Sequence, residues 1–146
     1  MRVLEADDRL LMVRADKGEE VTEILRRVAR ERKIASAAIT GLGALDRVRM
    51  AYFDAVEKQY LPRDFPEVFE LISFTGNLGW FEGEPFLHAH VVISDREFRC
   101  FAGHLLSARV AVTVELMLRV GERTLHRAMN PEIGVKEQKI ELERPQ

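Results

Sequence analysis

Cysteine is almost missing from this sequence of 146 residues, because Cys100 is the only one. An internal disulfide is excluded, and the chain is expected in the reducing environment of the cytoplasm. The first ten residues, MRVLEADDRL, contain no apolar stretch long enough for a secretory signal peptide, which supports the same expectation.

Long hydrophobic runs are missing as well. The most apolar segment, Leu105 to Val120, is interrupted by charged residues such as Arg109 and Glu115, and this pattern excludes a membrane-spanning helix. Basic charge is not in excess, since the formal net charge is −2 at pH 7, whereas proteins that bind nucleic acid mainly through phosphates usually carry a basic excess. The charge therefore gives no support to DNA binding.

Proline and glycine are few, at five and nine residues, while 47% of the residues are apolar and 32% are charged. This composition excludes a disordered or collagen-like chain. The sequence contains no G-x-S-x-G elbow, P-loop or H-E-x-x-H motif, so it identifies no nucleophile with its base and no reaction. One globular domain over residues 1–142, followed by a free tail at 143–146, is predicted.

One amphipathic helix is predicted over residues 19–33. Apolar residues recur there every three or four positions, at Val21, Ile24, Leu25 and Val28. The other predicted elements are strands, at residues 9–14, 35–44, 47–53, 68–75, 86–93, 98–102 and 110–120. Two strands are expected to join near Gly43, with a tight turn or a bulge at Gly41–Gly43, and residues 54–67 are expected to form a loop or an edge excursion. Many strands with one early helix predict an α+β fold with a mainly antiparallel sheet.

Three of the four histidines lie within the twenty-residue segment FLHAHVVISDREFRCFAGHL (86–105). His88 and His90 are separated by one residue of a strand, so their side chains leave the same face of the sheet and can reach one ion. Imidazole is a common ligand of zinc, and His104 would complete a three-nitrogen site with a fourth position open to water or a ligand. The alternative, in which these histidines only make hydrogen bonds on a sheet face, stays open.

His104 can join the other two only if the strand register allows it. A two-residue turn at 95–96 by itself would turn His104 to the wrong face. A bulge at Gly103, or a three-residue loop at 95–97, would bring His104 across from His88. We predict the two-residue turn together with the bulge, because that register matches the apolar residues of the two strands.

Three further residues are weaker candidates. Glu84 lies four residues before His88 and could orient a ligand or act as a base on metal-bound water, although a loop glutamate is usually just solvated. Cys100 is predicted to lie on the opposite face as buried filler, outside the site. His126 is expected at the surface.

Three segments, in this order, resemble the PPC (plants and prokaryotes conserved) domain family. VFELISFTGNLGW (68–80) looks like the family's F-E-I-L-S-x-x-G signature, GEPFLHAHVVISDR (83–96) follows it, and AGHL (102–105) is similar to the usual G-G-H-L. The resemblance spans nearly the whole chain. It implies an α+β domain with one principal helix, assembled as a homotrimer, and a metal site at His88, His90 and His104.

The same resemblance carries a DNA-binding or transcription-related label. In plant members the contact with DNA looks like the work of an attached AT-hook with an R-G-R-P core, and these 146 residues contain none. Direct contact with DNA is therefore doubtful. Three hypotheses follow, in this order. The first is a trimeric module that binds zinc or a similar divalent transition metal. The second is a DNA-associated regulatory domain that acts mainly through protein partners, and the third is a metalloenzyme in which Glu84 is the base for metal-bound water.

Overall fold

Residues 1–139 are described by the computed structural model, and they form nine β-strands and one α-helix. The strands are β1 (Arg2–Asp7), β2 (Leu10–Asp16), β3 (Ser36–Asp54), β4 (Gln59–Phe65), β5 (Phe69–Phe81), β6 (Glu84–Ser94), β7 (Cys100–Gly121), β8 (Arg127–Asn130) and β9 (Val135–Gln138), and the helix is α1 (Val21–Glu31). All pairings between these strands are antiparallel. The predicted α+β class is confirmed, while the predicted tail at 143–146 lies outside the described residues.

The central strands form a closed circuit of hydrogen-bonded pairs. β3 pairs with β5, β5 with β6, β6 with β7, and β7 again with β3. The long β3 and β7 also carry the outer strands, since β4 continues the sheet from β3, and β2 with β1 continues it from β7. The β8–β9 hairpin is a separate two-stranded sheet. Because side chains alternate along each strand, a closed circuit has one face towards the core and one face outwards.

The helix α1 packs its apolar stripe against β6 and β7, as its periodicity predicts. Its N-terminus is capped by Glu20, whose carboxylate accepts hydrogen bonds from the backbone nitrogens of Thr22 and Glu23 at 3.1 and 2.8 Å. The same carboxylate accepts a bond of 3.0 Å from the backbone nitrogen of Ala108, so the cap also fastens the helix to β7. No helix within residues 1–139 is long and apolar enough to cross a membrane.

Residues 36–54 form one strand, β3, so the prediction of two strands joined near Gly43 is wrong, while the bulge predicted there as an alternative to a turn is confirmed. Gly43 has a φ angle of 148°, and the pairing of β3 shifts register on both sides of it, which is the geometry of a bulge. A Cβ atom at Gly43 would lie 2.3 Å from the backbone oxygen of Thr113. Glycine at this position therefore lets β3 and β7 approach closely and bend together without a break.

The segment 54–67, expected as a loop or edge excursion, contains the edge strand β4. Its residue Pro62 pairs with Ala51 of β3, and an edge strand tolerates proline because one of its sides needs no hydrogen-bond donor. The predicted strands at 98–102 and 110–120 are the two ends of the single strand β7. This one strand therefore connects the histidine hairpin to the centre of the sheet.

Candidate metal centre

The hairpin of β6 and β7 places His90 directly opposite His104. The chain reverses through a five-residue loop at 95–99, so the predicted two-residue turn is wrong. The Asp95 carboxylate organises this loop by accepting hydrogen bonds from the backbone nitrogens of Glu97 and Arg99 at 3.0 and 2.9 Å, and from Arg99 Nε at 2.7 Å. An aspartate that satisfies two loop amides favours this longer reversal.

The longer loop changes how the third histidine reaches the cluster. Gly103 pairs regularly with Val91, so the predicted bulge at Gly103 is wrong, and His104 lies across from His90 instead of His88. In the predicted register His90 would pair with residue 101, whereas it pairs with His104, three positions further along β7. Because side chains alternate between the two faces of a strand, a shift by an odd number of residues turns His104 to the outer face without a bulge. Cys100 pairs with Ser94 and is exposed, so its prediction as buried filler is also wrong.

Three imidazole rings converge on the outer face of the sheet. Ala89 and Val91 are buried in the core, so the alternate residues His88 and His90 project outwards from β6. One ligand atom from each of these two histidines and one from His104 all lie within 4.8 Å of one another. The centroids of the three rings are 5.1, 5.2 and 5.5 Å apart.

Burial and neighbouring charge favour the neutral form of two of these rings. The pKa of His104 is lowered to about 4, because burial disfavours the charged imidazolium and because His88 and His90 add repulsion. The pKa of His88 is lowered by burial first, and then by the positive charge of Arg127 and by His90. Neutral imidazole is the form that binds a metal ion, so His88 and His104 are ready to bind at neutral pH.

The cluster fits a tetrahedral metal ion. Zinc binds imidazole nitrogen at about 2.0–2.1 Å, which places two ligands of the same ion about 3.3 Å apart. The ligand atoms lie within 4.8 Å of one another, so each pair would have to approach by at most about 1.5 Å to reach that spacing. A donor set of three nitrogens suits zinc and neighbouring divalent transition metals, whereas calcium and magnesium take oxygen ligands.

A cavity of about 1090 Å³ lies beside the three histidines. The ring of Tyr60, in β4, packs 4.8 Å from the ring of His104 and forms part of the wall. Arg127 and Lys136, from the β8–β9 hairpin, also line the cavity. None of these three residues is singled out in the sequence, because each lies in a polar segment without a clear strand pattern and reaches the cavity only through long-range packing.

The other two candidates lie outside the cluster. Glu84 begins β6, and its carboxylate accepts hydrogen bonds from Nε and Nη2 of Arg30 at 3.1 and 2.9 Å. It is not among the residues that line the cavity, and its role as a base stays a prediction. His126 is exposed, as expected.

A sequence model of the Plants and Prokaryotes Conserved (PCC) domain matches residues 4–121. The matched range contains α1, the β6–β7 hairpin and all three clustered histidines, and it ends before β8 and β9. Among curated proteins, no sequence matches the chain significantly.

Several solved structures share the fold over nearly their full length. A Pyrococcus horikoshii plant- and prokaryote-conserved (PPC) protein is 29% identical with a TM-score of 0.84, over 93% of this chain and 94% of that one. A Ralstonia eutropha protein, whose name proposes DNA binding, is 29% identical with a TM-score of 0.84, over 90% and 91%. An Archaeoglobus fulgidus protein, described as metal-containing, is 26% identical with a TM-score of 0.84, over 96% and 100%.

Proposed function

The chain belongs to the Plants and Prokaryotes Conserved domain family, and we propose that it is a metal-binding module of that family, with the ion held by His88, His90 and His104. The observation that carries the proposal is the convergence of three imidazole ligand atoms within 4.8 Å on one outward face. The metal-containing relative from Archaeoglobus fulgidus, which has the same fold, supports it.

Zinc is the ion that we propose, because the clustered donors are nitrogens and two of the three rings favour their neutral form. Cys100 lies at the loop end of the hairpin and contributes no sulfur ligand to the cluster. Zinc bound by three nitrogens keeps a fourth position for water or a ligand atom and can act there as a Lewis acid. The cavity beside the histidines offers space for such a ligand.

The assembly that we propose is a homotrimer, as the family resemblance implies. One observation supports association between copies. Four exposed apolar side chains line a groove of about 500 Å³ formed by β1, β2, β3 and β7, and they are Leu4, Met12, Leu42 and Met117. We call these four residues the apolar groove. Because monomeric proteins rarely expose large contiguous apolar patches, we assign the apolar groove to the contact between copies.

A DNA-associated regulatory role through protein partners is the second candidate function, as the family resemblance implies; the name of the Ralstonia eutropha relative refers to DNA binding alone. Direct contact with DNA is not part of this candidate. The net charge of −2 and the lack of an R-G-R-P core within these 146 residues give the phosphate backbone little to bind. A gel-shift series over increasing salt distinguishes direct contact with DNA from action through protein partners. No retention of DNA at low salt would exclude direct binding.

Elemental analysis of tag-free protein tests the metal site. Wild type is expected to carry close to one zinc ion per chain, and His88→Ala and His104→Ala are each expected to lose it while keeping their circular dichroism spectrum and elution volume. His126→Ala is the matched control, because it removes an exposed histidine outside the cluster and should keep the zinc. Wild type that contains far less than one ion per chain, and takes up none when zinc is added, would contradict the proposal.

A further inference from the structure

The guanidinium of Arg127 is buried beside the histidine cluster, and residues 1–139 give it no counter-charge. The residue is 8% exposed, and no carboxylate of residues 1–139 forms an ion pair with it. Burial lowers the pKa of Arg127, which reflects the unfavourable free energy of a charge that is removed from water. Buried charges in proteins are usually paired, so Arg127 calls for an anion that residues 1–139 do not supply.

The hydrogen bonds of Arg127 with the described residues fix its orientation and use two of its donors. Nη1 donates to the backbone oxygen of Lys136 at 2.7 Å, and Nη2 donates to Asn77 Oδ1 at 2.6 Å. Nε is buried and has no acceptor among the described residues. Because a guanidinium has five N–H donors, three of them have no acceptor among the described residues. The ring of Phe86, 4.9 Å from the guanidinium carbon, holds the planar group in place.

The surroundings of Arg127 in the cavity combine positive charge with apolar surface. The Lys136 ammonium lies 5.3 Å from the centroid of the Phe86 ring, and this lysine also forms no ion pair within the described part of the chain. Phe53, Phe86 and Met129 add apolar wall. Among the described residues that line the cavity, Glu137 is the acidic one, and its Oε2 accepts a hydrogen bond from Asn130 Nδ2.

We infer that this cavity binds a small organic acid, with its carboxylate held by Arg127 and its apolar body against Phe86 and Met129. A carboxylate matches the planar fork of arginine and supplies the missing counter-charge. Arg127, Lys136 and Met129 follow residue 121, where the family match ends, whereas Phe86 lies within it. The inference adds a ligand class to the proposed function. Only the presence of zinc beside that ligand rests on the proposed function.

Isothermal titration of zinc-loaded protein with benzoate, and with benzamide as a neutral analogue of similar shape, tests this inference. Wild type is expected to bind benzoate roughly tenfold or more tightly than benzamide, because only the anion makes charge-assisted hydrogen bonds. Arg127→Gln should lose this preference while its zinc content stays unchanged. Arg96→Gln is the matched control, because it removes an arginine whose side chain is 90% exposed in the hairpin loop.

Two further measurements keep the test decisive if Arg127→Gln fails to fold: a conservative variant, and the comparison of the two ligands on the wild type. Arg127→Lys keeps the charge without the planar fork and should recover part of the preference. Equal affinity of wild type for benzoate and benzamide, or no binding of benzoate, would overturn the inference, and so would a full preference in a folded Arg127→Gln protein.

Titration of zinc-free protein separates this inference from the metal site. A preference for benzoate that persists in a chain unable to take up zinc would support the acid site and contradict the metal site. Zinc uptake without any preference for benzoate would contradict the acid site alone.

Discussion

At the scale of single residues, His104 links the stability of the protein to pH. Its imidazole has an ordinary pKa of 6.5 and a pKa of about 4 in the fold, where it is half buried beside two other histidines. Between these two values the unfolded chain binds a proton that the folded chain does not bind. The free energy of unfolding of metal-free protein is therefore expected to decrease as the pH falls from 6.5 towards 4.

Replacement of His104 by asparagine tests this linkage. His104→Asn removes the titrating group, so the unfolding free energy of the variant should depend less steeply on pH over this range than that of the wild type. Chemical denaturation of both proteins in the presence of a chelator, at several pH values between 4.5 and 7.5, measures the two slopes. Because His88 is present in both and its pKa is shifted in the same direction, some dependence remains in the variant. Parallel curves would show that His104 does not carry the effect.

At the scale of elements, the close contact of β3 with β7 depends on Gly43. Gly43→Ala is expected to lower the free energy of unfolding by about 3 kcal/mol or more, because a Cβ atom would collide with the backbone oxygen of Thr113 in addition to straining a positive φ angle. Gly83→Ala is the matched control, since Gly83 has a φ angle of 83° but no atom within 4 Å of its Cβ position. It should cost only about 1 kcal/mol.

Urea denaturation of the two glycine variants beside the wild type measures the difference. Similar losses in both variants would mean that the φ angle, and not the approach of β7, explains why glycine is required at position 43.

The β6–β7 hairpin shows how one loop decides the geometry of a site. Asp95 holds a five-residue reversal, and this reversal aligns His104 with His90 on the outer face. The periodicity of the two strands identified which residues form the hairpin but left its register open, because several loop lengths are compatible with the same alternation.

At the scale of the whole molecule, the apolar groove is the surface that we assign to contacts in the proposed homotrimer. Light scattering after size exclusion should give wild type a mass three times that of the 16.8 kDa chain. Leu42→Asp places a charge in the groove and should reduce this mass, since an unpaired carboxylate is costly to bury in a contact between copies. Val56→Asp is the matched control, because Val56 is 86% exposed between β3 and β4, outside the groove. A monomeric wild type, or a trimeric Leu42→Asp protein, would contradict the assignment.

The sequence by itself determined the fold class, the position of the helix, the three histidines and the family. These features follow from local periodicity, from residue types and from short segments such as AGHL, all of which are visible along the chain. The bend of β3 at Gly43 and the edge strand β4 were open, because a bulge and a turn use similar residues and an edge strand can be polar.

Only the tertiary structure decided which residues share the cavity with the histidines. Tyr60, Arg127 and Lys136 lie far from 88–104 in the sequence, and they meet there because β4 pairs with β3 and the β8–β9 hairpin packs near β5. The burial of Arg127 without an ion-pair partner among residues 1–139 is likewise a tertiary property, which no local pattern reveals. Long-range pairing thus placed Arg127 and Lys136 beside the histidines. The sequence shows that these residues are charged, but it does not show which charged groups become buried in the fold.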